Sequence, residues 1–140
     1  YEGATSTIES TLTSAGIPTD GLFLEDCSGL SSNDKISANT LVGVLKASYT
    51  GQGTGADTIR LLPWAGLVGT LSQRMNEAPA AGNVQAKTGS LQEVTSLSGS
   101  VRTRSGRLLL VSIGNDQVTD GAYATRGYLD AFEEGLAGLN

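Results

Sequence analysis

Lys87-Thr88-Gly89-Ser90 is the stretch whose residue types and spacing best suit chemistry. The lysine supplies positive charge. Hydroxyls two residues apart, on Thr88 and Ser90, share one face of an extended strand and can both donate to a carboxylate. Gly89 has no Cβ, so a ligand can approach the backbone closely, and the Ser90 N–H is a candidate oxyanion donor. The chain contains no histidine, which rules out a Ser-His-Asp triad or a Cys-His pair within it. That absence favours a lysine-centred acyl-transfer site. The purely structural alternative is an edge strand whose lysine discourages strand addition.

A second segment, Asp26-Cys27-Ser28-Gly29-Leu30-Ser31-Ser32-Asn33, reads as a polar turn, yet it contains formal matches to nucleophile patterns. Ser31-Ser32-Asn33 fits Ser-x-Asn, and Ser32-Asn33-Asp34-Lys35 fits Ser-x-x-Lys. The two overlap, so they cannot be separate elements of one site. A serine of this kind normally opens a buried helix, with its lysine base one turn on. Ser32 stands in a polar stretch instead, and Asp34 beside Lys35 favours a protonated lysine. A self-contained hydrolase using Ser32 and Lys35 remains the alternative. The acidic residues show no paired-carboxylate spacing, and the lone Trp64 beside Pro63 reads as an anchor.

Bulk properties narrow the partners. The 140 residues are one domain's worth of chain, and no apolar run approaches the ~20 residues of a membrane span. A net charge of −5 argues against nucleic acid. Lys87, Arg102, Arg104 and Arg107 nevertheless gather positive charge around the tetrapeptide, which suits a small anionic ligand. Cys27 is the single cysteine, so there is no intrachain disulfide and no cysteine cluster for structural zinc. No metal or cofactor is implied. The start, Tyr1-Glu2-Gly3-Ala4, has neither methionine nor a signal-like segment, so a mature protein or an internal piece is expected.

The elements that must position these residues are legible in part. A helix is expected over Thr5 to Ala15, stopped by Gly16 with Pro18 beyond, and a short strand over Gly21 to Cys27. Ser37 caps a helix running from Ala38 to Tyr49, and Gly51 to Gly55 breaks it. Thr70 is expected to cap a short helix through Met75. Three strands follow: Val84 to Leu91, Val94 to Thr103 and Arg107 to Gly114, the last two joined by the Arg104-Ser105-Gly106 turn. The run Leu108 to Ile113 is apolar at every position but Ser112 and suits a central strand covered on both faces. A closing helix capped by Thr119 or Asp120 turns Tyr128, Phe132, Leu136 and Leu139 inward and Asp130, Glu133 and Glu134 outward. The expected fold class is α+β, an antiparallel sheet flanked by helices.

Three segments in this order and spacing resemble a family: Asp26-x-Ser28-Gly29-Leu30-Ser31, Leu62-Pro63-x-Ala65-Gly66-x-x-Gly69-Thr70-Leu71 and Ala86-Lys87-Thr88-Gly89-Ser90-Leu91-Gln92. The chain from about Gly21 onward is similar to the C-terminal part of the class C low-molecular-mass penicillin-binding proteins, the penicillin-binding-protein-4-type D-alanyl-D-alanine carboxypeptidases. The resemblance implies the C-terminal part of a serine-β-lactamase/transpeptidase-like domain over residues 1–140. It also implies action outside the cytoplasm on peptidoglycan stem peptides through an acyl-serine intermediate, which penicillins trap. Lys87 then corresponds to the lysine of the third motif, and Thr88 and Ser90 bind the terminal carboxylate, with Gly89 between them. The Ser90 N–H forms half of the oxyanion hole, and Leu30 lies near the substrate side chain. The family's nucleophile and its Ser-x-Asn precede the matching segment, so an N-terminal portion of the same enzyme is the expected partner. Ser31-Ser32-Asn33 does not inherit the second motif's role, and Cys27 stands where the family pattern has glycine. A non-catalytic module holding a carboxylate or β-lactam ligand is the other reading.

Overall fold

A computed structural model describes residues 2–51 and 58–140. Helix α1 spans Glu2–Ser14 and α2 spans Ala38–Tyr49. Strands β1 (Val84–Ser90), β2 (Thr95–Arg102) and β3 (Leu108–Asn115) then form an antiparallel sheet, and α3 (Ala122–Ala137) closes the chain. The α+β class holds, and each strand boundary falls within one residue of its sequence expectation. Most of the Gly51 to Gly55 segment lies outside the described residues.

Register sets which side chains share a face. Val84 pairs with Val101, Ala86 with Gly99 and Thr88 with Leu97, while on the other side of β2 Leu97 pairs with Ile113 and Val101 with Leu109. Opposed residues point the same way, so one face of the sheet carries Val84, Ala86, Leu97 and Val101. All four are fully buried against Leu71, Leu129 and Ala137. Burying each large apolar side chain stabilises the fold by about 1.5–3 kcal/mol. The opposite face carries Gln85, Ser98 and Ser100 and meets α2 and the 3₁₀ turn Thr58–Leu61. There Gln85 Nε2 donates to Arg60 O (3.2 Å) and Leu62 O (3.0 Å).

Helix α2 begins as its sequence dictates, with Ser37 Oγ accepting from the Thr40 N–H at 3.0 Å. Several other expectations are overturned. The apolar strand β3 lies at the edge with β2 central, and Leu108 to Ile113 are all half-buried. An apolar run reports that both faces meet something; it does not report that both edges are paired. The stretch Gly21 to Cys27 forms only a bridge between Phe23 and Lys35, because polar side chains downstream satisfy the backbone locally. No helix follows Thr70: a 3₁₀ turn, Gly69–Leu71, stands there.

Helix α3 is turned by about one residue, or about 100°, from its expected orientation. Leu129, Glu133 and Ala137 form the buried stripe, whereas Tyr128, Phe132 and Leu139 are exposed. Asp130 points at Arg74 rather than at solvent, accepting from Nη2 at 2.6 Å and from Nε at 3.1 Å. The N-cap is Gly121, not Thr119 or Asp120.

Candidate active-site edge

The outer edge of β1 is the place to look for chemistry. Leu91 N–H bonds to Val94 O and Arg102 N–H to Asn83 O. Antiparallel bonds alternate, so between these points Gln85, Lys87 and Gly89 bond to β2. The backbone groups of Ala86, Thr88 and Ser90 therefore face outward. Ala86 N–H is met there by Pro63 O (2.9 Å), and Val84 O by Ala65 N–H (2.9 Å). Past Ala86 this cover ends. Pro63 has no N–H to return, and the chain before it turns into the 3₁₀ segment. The outward N–H groups of Thr88 and Ser90 have no hydrogen-bond partner among the described residues.

Side chains at this open end are held by few contacts. Lys87 is exposed on the Gln85 face, and its Nζ donates to Thr88 O at 2.6 Å. Thr88 and Ser90 project from the opposite face. Thr88 Oγ1 donates to Thr70 Oγ1 (3.2 Å), and Ser90 Oγ donates to Gly89 O (2.7 Å) while accepting from Arg126 Nη2 (3.1 Å). Lys87, Thr88, Gly89 and Ser90 thus border one unfilled strand position, with two hydroxyls and the Ser90 N–H available to a ligand lying alongside β1.

The other sequence candidates sit elsewhere. Leu30 is 73% exposed in the loop between the Phe23 bridge and α2. Its N–H donates to Ser28 Oγ at 3.0 Å, and no hydrogen bond ties it to β1. Hydrogen bonds from Ser28 N–H (2.7 Å) and Ser28 Oγ (2.8 Å) hold the Asp26 carboxyl below its usual pKa. Ser31 and Asn33 are anchored on Glu25. Cys27 has no positive φ, so a side chain at this glycine position of the pattern is unstrained. Ser32 and Lys35 are both exposed, and Ser32 lies in a turn rather than at the start of a helix. A cavity lined by Tyr49, Trp64, Gln85, Arg102 and Leu108 lies on the other face and includes none of Lys87–Ser90.

Sequence reasoning missed Thr70 and Arg126 as neighbours of the tetrapeptide. Arg126 stands 36 residues from Ser90 in the chain. The available signal was Tyr123 three residues before it, a spacing that puts ring and guanidinium on one helix face.

A three-stranded antiparallel sheet between helices, presenting Lys-Thr-Gly-Ser at an open edge, is the arrangement that the resemblance to a transpeptidase-like domain implies. The profile of the D-Ala-D-Ala carboxypeptidase 3 (S13) family matches residues 1–134, and the chain belongs to that family. It is 41% identical over 119 residues to carboxypeptidase DacB of Mycolicibacterium smegmatis, covering 81% of this chain and 26% of that protein. It is 43% identical over 100 residues to penicillin-sensitive carboxypeptidase A of Dictyostelium discoideum, covering 71% and 19%. The crystal structure of penicillin binding protein 4 from Haemophilus influenzae in complex with a β-lactam superposes with a TM-score of 0.75 at 30% identity. That alignment covers 92% of this chain and 31% of the other. The chain therefore spans between a fifth and a third of the length of these relatives.

Proposed function

We propose that this chain is the strand-bearing C-terminal portion of a serine D-alanyl-D-alanine carboxypeptidase or endopeptidase. In this reading residues 1–140 belong to a transpeptidase-like domain whose upstream part supplies the nucleophilic serine and its lysine. The enzyme acts outside the cytoplasm on peptidoglycan stem peptides and binds penicillins. The observation that carries the reading is the open edge at Lys87–Ser90, where an extended peptide ending in a carboxylate can add as a strand beside β1. Family membership and the names of the relatives support it.

The chemistry assigns each residue a task. Thr88 Oγ1 and Ser90 Oγ donate to the terminal carboxylate, and Gly89 leaves room for the ligand's approach. When the serine oxygen attacks the scissile carbonyl, the Ser90 N–H donates to the oxygen that gains charge. Lys87 places its positive charge beside the reacting groups and lowers the energy of that transition state. The C–N bond then breaks, D-alanine leaves, and water hydrolyses the acyl-serine ester. For Leu30 a place near the substrate side chain rests on the family resemblance alone.

Peptide mapping of the longer polypeptide after incubation with a labelled penicillin tests this. The covalent adduct is expected on a serine outside residues 1–140. An adduct on Ser32 would transfer the chemistry to the Ser32–Lys35 pair. Saturable binding without any adduct would instead favour a module that recognises β-lactams without turnover.

A further inference from the structure

Arg126 is the cation of α3 that reaches the open end of β1. Its Nη2 donates to Ser90 Oγ at 3.1 Å, and its guanidinium carbon lies 5.0 Å from the centre of the Tyr123 ring. Ring and hydroxyl together fix the fork in place. Arg74 on the same side of the sheet is paired with Asp130, whereas Arg126 pairs with no carboxylate among the described residues. Its Nε is buried without a hydrogen-bond partner. A guanidinium has five donors, so Arg126 holds positive charge at the strand edge with donors to spare.

Its contact also constrains Ser90. A hydroxyl that accepts from a guanidinium turns its own hydrogen elsewhere, and in the structure that hydrogen goes to Gly89 O at 2.7 Å. A ligand carboxylate beside Ser90 offers the hydrogen a charged acceptor and offers Arg126 an opposite charge. Both changes strengthen binding of an anion and do little for a neutral group.

We infer that Arg126 is a specificity-determining residue that selects ligands with a free carboxylate over the corresponding amides or esters. The inference rests on reading Lys87–Ser90 as the ligand-binding strand, and it adds the residue that sets the preference for a free carboxylate. A site with this bias favours removal of a terminal residue over cleavage within a longer peptide.

The test uses the full-length enzyme that contains this segment, with two probes: an acylated D-alanyl-D-alanine and its C-terminal amide. Arg126→Gln should lower kcat/KM for the free acid by about 10- to 100-fold, and the acid-to-amide preference should shrink by about tenfold or more. Arg126→Lys keeps the charge without the fork and should fall between the two. An equal loss on both probes, or no loss on either, overturns the inference. Ser90→Ala in the same assay separates the two levels of the argument. If Ser90→Ala loses activity on the acid while Arg126→Gln keeps its preference, only this inference fails. If Ser90→Ala and Lys87→Ala both react as the parent does, the strand itself is misassigned.

Discussion

The two halves of β1 share one backbone geometry and differ in almost everything else. Val84 and Ala86 are fully buried, and the outer edge beside them is bonded to Pro63 and Ala65. Lys87 and Ser90 are exposed, and the edge beside them is open. A single proline marks the change, because Pro63 can accept from Ala86 but cannot donate back. One strand is thereby anchored at its start and left available at its end. The anchored half fixes the position of the available half, so a site can stay rigid without being enclosed.

Lys87→Ala should have the largest effect on function and almost none on the fold. If Lys87 serves the transition state as proposed, removing its charge costs on the order of 2–4 kcal/mol, or ~30- to 1000-fold in acylation rate. An exposed side chain with one backbone contact should shift stability by less than about 0.5 kcal/mol. Acylation kinetics and a thermal midpoint on the same preparation check both statements. A variant that unfolds along with losing activity would mean that the open half is structural too.

Charge on the packed side of the sheet behaves in the opposite way. Glu133 lies between Leu129 and Ala137 on the buried stripe of α3, with Oε2 unbonded among the described residues. Burial, aided by the negative charge of Asp130, pushes its carboxyl up to about 7 from the usual 4.5. The folded state therefore keeps a proton that the unfolded state releases. Stability from this group is fully present below pH 4.5, falls as pH rises, and is lost above about 7. The whole swing is about 3 kcal/mol at ~1.4 kcal/mol per pKa unit. Glu133→Gln mimics the neutral acid and should flatten the profile, matching the parent at pH 4 and melting higher at pH 8. Parallel profiles for the two proteins would show that Glu133 is charged and satisfied in the fold.

Glu133 also marks the limit of what the sequence conveyed. The Ser37 cap, the three strands and the Lys87–Ser90 motif are local patterns, and local patterns survive into the fold. The orientation of α3 is decided by which residues fit the space above Leu97 and Val101. Large apolar residues at Tyr128 and Phe132 mimic an inward stripe, while the tighter fit takes Leu129, Glu133 and Ala137. The edge position of β3 and the neighbourhood of Arg126 and Ser90 depend on pairing across distance, which periodicity does not encode. Within the candidate site, the tetrapeptide was singled out by its residue types. The open edge that exposes it came from Pro63, two dozen residues earlier, and its meaning appears only once β1 is paired.

Two glycines on the same ladder sharpen the contrast between the halves at the smallest scale. Gly99 faces Ala86 in the anchored half, and Gly89 faces Ser96 in the open half. A Cβ at Gly99 would collide with Gln85 O and come within 2.5 Å of Ala86 Cα, which are backbone atoms held by bonds on both sides. The neighbouring strands would have to separate, so Gly99→Ala should destabilise by about 1–3 kcal/mol. A Cβ at Gly89 would collide only with the Ser96 hydroxyl, with Ser96 Cβ at an ordinary 3.6 Å, and the hydroxyl can rotate to another staggered position. Gly89→Ala should therefore shift stability by less than about 0.5 kcal/mol and act instead on acylation, by crowding the ligand's approach. Denaturant midpoints for the two variants measure the first quantity, and penicillin acylation rates measure the second. Equal destabilisation by both would erase the distinction between the two halves of β1. A stability loss confined to Gly99→Ala, with the rate loss in Gly89→Ala, would locate the boundary between scaffold and site at the Ala86–Lys87 peptide.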